Sequence, residues 1–127
     1  MGVFEELHGF ANPESLCRHL SNASKKYYGT AIRSFLHYIT TLQPDTLEQI
    51  VSVTQRDFIA QYLPDNSDGQ VKRVAGRFGL IAAAGEIAIE NGILPLELGA
   101  AFTATGKLFT DWLSERGTCR IYRRYLR

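Results

Sequence analysis

The chain has 127 residues, 45% of them hydrophobic and 21% charged, which suits one domain with a core of its own and excludes a wholly disordered polypeptide. Its formal net charge of +1 excludes a global field that would gather nucleic acid or anionic membrane, so any such contact must be local. Cys17 and Cys119 stand at opposite ends of the chain and form neither a CxxC pair nor a disulfide ladder, Glu5 and Glu6 occupy the place where a signal peptide needs positive charge, and no apolar run approaches the roughly 18 to 20 residues of a membrane span. A soluble cytoplasmic protein with reduced thiols is expected.

The first helix signal is Asn12-Pro13-Glu14, a capping side chain followed by a proline and an acid suited to the first turn. Leu16, Leu20, Ala23 and Tyr27 recur at helical spacing and predict a helix over 13–28, with Gly29 in the left-handed position after it. Thr30 is suited to cap a second helix over 31–42 that carries Ile32, Phe35, Leu36 and Ile39 and stops before Pro44. A third begins at Asp45 and ends before Pro64, with Leu47, Ile50, Val51, Thr54, Phe58 and Tyr62 as its stripe; the β-branched run from Ile50 to Thr54 makes it the weakest helix former. The turn cluster PDNSDG supplies Asp68 as the cap of a fourth helix over 69–91, stopped by Asn91-Gly92.

A last helix is predicted from Leu96 to Arg116, with Gly117 after it and Leu98, Ala101, Phe102, Leu108, Phe109, Trp112 and Leu113 as its apolar positions. No segment alternates with period two, so the class is all-α: a compact bundle of about five helices around the glycine-containing fourth. Residues 1–117 read as a single helical domain and 118–127 as a basic tail, either a last amphipathic turn, a disordered end or a scar of truncation.

Wound at 100° per residue, the fourth helix places Val71, Val74, Phe78, Ile81, Ala82, Gly85 and Ile89 on a core face and Lys72, Gly76, Gly79, Ala83, Glu86 and Glu90 opposite. Glycine inside a helix costs roughly 0.5–1 kcal/mol relative to alanine, so three of them imply close packing on more than one side. Arg73 and Arg77 lie one turn apart on the edge between the faces, and with Lys72 they form the candidate phosphate- or partner-contacting group. They either meet a ligand or partner, pair internally with Asp65, Asp68 or Glu86, or extend into solvent. Glu86, in an otherwise apolar stretch, reads as a structural ion-pair partner and not as a catalytic acid.

Signals of chemistry are sparse. AFTATGKL, from Ala101 to Leu108, departs from a P-loop at both diagnostic positions and falls inside a helix, where backbone N–H groups are already engaged. Cys17, His19, His8 and His37 have no zinc-site spacing, and no nucleophile or paired-acid motif occurs, so the expectation is no metal, no cofactor and no catalysis by the isolated chain. The terminal RGTCRIYRRYLR interleaves Arg120, Arg123, Arg124 and Arg127 with Tyr122 and Tyr125 and is the local candidate for nucleic-acid contact, through arginine forks and stacking rings.

The strings FEELHGFANPESLCRHLSNASKKYYGTAIRSFL, DGQVKRVAGRFGLIAAAGEIAIENGILP and FTDWLSERG together resemble the C-terminal helical region of a bacterial family of unknown function. That family is carried by mobile elements and labelled helicase-like or as an inactivated superfamily II helicase. The resemblance covers residues 3–117 and implies a nucleoside-triphosphatase core upstream, with the present region as an appended accessory domain and not a motor. It also implies that Arg73 and Arg77, on a helical lid of a longer protein, reach a γ-phosphate as sensor or finger residues do. Leu96 stands where the family pattern has tryptophan, and the tail after Gly117 departs from its continuation. The expected function is therefore a non-catalytic accessory domain contacting a helicase-like ATPase or copies of itself. The alternatives are a small DNA-binding or regulatory protein using the tail and Arg73/Arg77, and an independent enzyme of unrecognised type.

Overall fold

Asn12 opens the first helix through the capping box that the sequence NPES encodes. Its Oδ1 accepts the Ser15 N–H at 2.8 Å, while the Asn12 N–H donates back to Ser15 Oγ at 3.4 Å, satisfying donors that α1 (Pro13–Lys26) would otherwise leave bare. The computed structural model describes residues 5–124, with side chains described as far as 116. Helix α1 ends at Lys26, with Tyr27 as its extended C-cap, earlier than its apolar spacing implies. Gly29, at φ 72°, then serves as the N-cap of α2 (Thr30–Thr41), so Thr30 is the first helical residue and not the cap.

Pro44 both bars α2 from continuing and becomes the first residue of α3 (Pro44–Tyr62), one position ahead of the predicted start. The β-branched run stays helical because its stripe is half-buried and ends on the fully buried Phe58; Thr54 Oγ1 donates to the Ile50 carbonyl at 3.0 Å. Asp68 caps α4 (Gly69–Glu90) as expected, its Oδ1 accepting the Gln70 and Val71 N–H groups, both at 2.9 Å. Asn91 closes that helix by donating from Nδ2 to the Ile87 carbonyl at 2.8 Å.

Helix α5 (Ala100–Arg124) begins four residues after the predicted Leu96, leaving Leu98 exposed in the preceding turn. It also passes Gly117 without a break, because one glycine inside a helix is a penalty and not a stop. The five helices, with no strand among the described residues, form an all-α bundle. Its densest packing joins α3 to α4, then α4 to α5, with a lighter α3 to α5 contact.

Phe58 from α3 and Phe109 from α5 are the largest fully buried side chains. The Phe58 ring lies 4.9 Å from Tyr62, 5.5 Å from Phe102 and 5.9 Å from Phe109, and Phe109 is 5.4 Å from Phe78 of α4. Burial of each such ring contributes about 1.5–3 kcal/mol, and their tilted geometries add to it. The glycines admit the neighbours: a Cβ on Gly79 would stand 3.1 Å from Gln55 Cα, and one on Gly85 would stand 2.5 Å from Ala101 Cβ. Gly76 has open space instead, and its carbonyl accepts the Gln55 Nε2–H at 2.8 Å.

One face assignment needs correction: Ile81, placed on the α4 core face, is exposed. Gly79 and Ala83, on the opposite face, are buried, as close packing through its small residues implies. The C-terminal half of α4 is enclosed broadly, with Ala82, Ala83, Ile87, Ala88 and Ile89 all buried, whereas its N-terminal half is covered on one side. Leu108, counted as apolar core in α5, is likewise exposed. The stripes of α1 and α2 are present but open: α1 buries Leu16 alone and α2 buries nothing.

Candidate functional site

The outer N-terminal half of α4 carries Lys72, Arg73 and Arg77, all exposed. Among the described residues no carboxylate lies within ion-pair distance of any of them; Arg73 Nε donates to the Gly69 carbonyl at 3.3 Å, a bond within its own first turn. Of the acids considered as internal partners, Asp68 and Glu86 are engaged elsewhere, and Asp65 is exposed and does not reach any of the three cations. Asp68 caps α4 and also takes Arg116, whose Nη2 lies 3.1 Å from Oδ2 and 3.0 Å from Gln70 Oε1. The three cations are thus presented outward with no pairing acid among the described residues, which leaves their charge available to an anionic or acidic contact.

Glu86 is half-buried and structural, but not in an ion pair. Its two oxygens accept the backbone N–H groups of Gly99 at 2.8 Å and Phe102 at 2.9 Å. The carboxylate therefore sits on the N-terminal end of α5, where it supplies acceptors to donors that the helix cannot satisfy and meets the positive end of the helix dipole. Gly99, at φ 87°, gives the sharp entry that places both amides over it. Through these two bonds Glu86 joins α4 to the start of α5.

Arg116 has a role that sequence reasoning did not assign to it. Its guanidinium carbon lies 5.5 Å from the Trp112 ring one turn earlier, and with the Asp68 and Gln70 bonds it clasps the later part of α5 to the start of α4. The Trp112/Arg116 spacing was the available signal. In the terminal segment, the backbone of Arg120, Tyr122, Arg123 and Arg124 belongs to α5, while Tyr125 and Arg127 lie outside the described residues.

The P-loop-like string is helical, and its glycine is a packing residue: a Cβ on Gly106 would fall within the Tyr62 ring. Among the described residues no group of three histidine, cysteine or acidic side chains converges, and no helix is long and apolar enough to cross a membrane. The other outward feature is apolar. Leu20 on α1 and Tyr27 at its C-cap, with Ile32 and Leu36 on α2, keep large parts of their side chains in solvent, Tyr27 at 65% and Ile32 at 55%. No family model matches the chain, and no curated protein or solved structure matches it.

Proposed function

We propose that the chain is a non-catalytic helical accessory domain that works in the cytoplasm through protein contacts, with a helicase-like ATPase core of the kind the resemblance implies as its partner. The observation that carries this reading is the open apolar stripe on α1 and α2. Both helices are amphipathic at helical period, yet between them they bury one residue, Leu16, and leave Leu20, Tyr27, Ile32 and Leu36 in solvent. Apolar helix faces left exposed on a folded protein mark docking surfaces, and an amphipathic helix lacking a covering element gains its stability when one arrives. The exposed Lys72, Arg73 and Arg77 add a separate polar contact area.

The test is co-expression with a P-loop ATPase encoded beside or fused to a relative of this gene, followed by size-exclusion chromatography. Co-elution that is lost in the Leu20→Ser/Leu36→Ser double variant supports the reading. Co-elution unchanged by both substitutions, or its absence with every such core, contradicts it. Turnover of nucleotide by the isolated chain would also count against a non-catalytic role.

A second reading, DNA binding, is favoured by the three cations, which no carboxylate among the described residues meets. It predicts binding to a labelled duplex that weakens steeply between about 50 and 200 mM salt, as expected when several phosphates are neutralised. Replacing Arg73 and Arg77 with alanine would then reduce both affinity and salt slope; fluorescence anisotropy reads both.

A further inference from the structure

One face of the α4/α5 pair carries a charge pattern that is its own complement. On α4, Gly79 faces α3 and Gly85 faces α5; on α5, Gly106 faces α3 and Ala101 faces α4. Counting at 100° per residue from those contacts, Arg73, Arg77, Leu80 and Ile81 fall on the arc of α4 turned away from α3, and Leu108, Asp111 and Glu115 fall on the matching arc of α5, with the exposed Lys107 at its edge, level with Leu80 and not with the arginines. Their exposure agrees: Leu80 is 48%, Ile81 60% and Leu108 60% exposed, and the four charged residues are exposed as well.

The contacts also fix the register. Gly85 sits against Ala101 and Phe78 against Phe109, so the two helices run antiparallel, with Arg77 level with residues near Asp111 and Arg73 level with residues near Glu115. Within one chain these opposite charges do not come within ion-pair distance. A two-fold axis lying in the face and parallel to the helices, between α4 and α5, brings α4 of one copy over α5 of the other at equal height. Arg77 then meets Asp111 and Arg73 meets Glu115, twice over, while Leu80, Ile81 and Leu108 of both copies close together between them. The product is a four-helix layer of the ordinary antiparallel kind.

The geometry points to a second copy of this chain as the occupant of the outer α4/α5 face. This deepens the protein-contact reading by naming one partner, and it uses a surface separate from the α1/α2 stripe. Nucleic acid suits the face poorly: three exposed apolar side chains share it with the arginines, and Asp111 and Glu115 repel phosphate. A purely acidic protein partner would satisfy Arg73 and Arg77 but meet those same two carboxylates.

Sedimentation velocity of the full chain over concentrations on the order of 10–200 µM tests the pairing. The wild type is expected to form a dimer whose dissociation constant rises with salt. Arg73→Glu/Arg77→Glu and Asp111→Arg/Glu115→Arg, both on exposed positions and checked for helicity, should each raise that constant at least about tenfold. Mixing the two variants restores opposite charges at all four contacts, so a heterodimer of near wild-type strength is expected. A chain that stays monomeric throughout, or a mixture no stronger than its separate components, would overturn the proposal. A dimer abolished by Leu20→Ser/Leu36→Ser and unaffected by the charge reversals would place the second copy on α1/α2, overturning this face while leaving the protein-contact reading in place.

Discussion

Helices α1 and α4 differ in a way that reverses what their sequences first suggest. Helix α1 has the regular stripe, Leu16, Leu20, Ala23 and Tyr27, and the better cap, yet it buries only Leu16. Helix α4 is apolar almost all round and carries interior glycines, yet eight of its residues are buried and it contacts both α3 and α5 closely. Regular amphipathic spacing identifies the side of a helix that gains from burial. Small residues at closely packed positions identify the side that has a neighbour in the same chain.

The contrast is broken most severely at the α3/α4/α5 junction. Phe58→Ala removes a ring in contact with three others and should cost about 3–5 kcal/mol, enough to unfold a marginally stable domain. Urea denaturation followed by circular dichroism measures it, and a loss under about 1 kcal/mol would show that the junction is not the core.

The glycines of α4 sharpen the comparison. Gly85→Val drives a side chain into Ala101 and should destabilise by about 1–3 kcal/mol or more. Gly76→Ala, which meets open space in a helix interior, should instead stabilise by about 0.5–1 kcal/mol. Thermal melts of the two variants are expected to move in opposite directions; shifts of the same sign would contradict the assignment of close packing to Gly85 alone of the pair.

Between these in size lies Glu86→Ala, which leaves the Gly99 and Phe102 amides without their acceptor and should cost about 1–2 kcal/mol. Glu86→Gln, retaining one carbonyl oxygen, should recover part of that. Amide exchange at Phe102 reads the same bond locally, and a protection factor unchanged in the alanine variant would show that Glu86 does not hold the start of α5.

Much of the architecture was legible in the residues. NPES and Asp68 announce helix starts because their side chains complete hydrogen bonds that no other local conformation offers as well. The outcome at Gly117 was not legible, since a glycine that ends one helix is merely tolerated in another whose flanking residues are held in place, here by Arg116 on Asp68 and Gln70. Nor was the exposure of Ile81 and Leu108, because a helical wheel ranks faces and does not say how many neighbours arrive.

For the candidate site, the outward position of Arg73 and Arg77 depended on where the acids of other segments are spent. Asp68 was recognisable as a cap. That Glu86 would take backbone amides, and not a cation, depended on a loop 13 residues away.

Native-state amide hydrogen exchange, at concentrations low enough to keep the chain monomeric, tests most directly whether the two regions are held so differently. Amides of α4 from Ala82 to Ile89 should exchange only through global unfolding. Those in the middle of α1 and α2 should exchange through local opening, at least about 100-fold faster, equivalent to about 2.7 kcal/mol. Equal protection in α1, α2 and α4 would contradict the account, since it would mean that the apolar stripes of the first two helices are already covered by the chain itself.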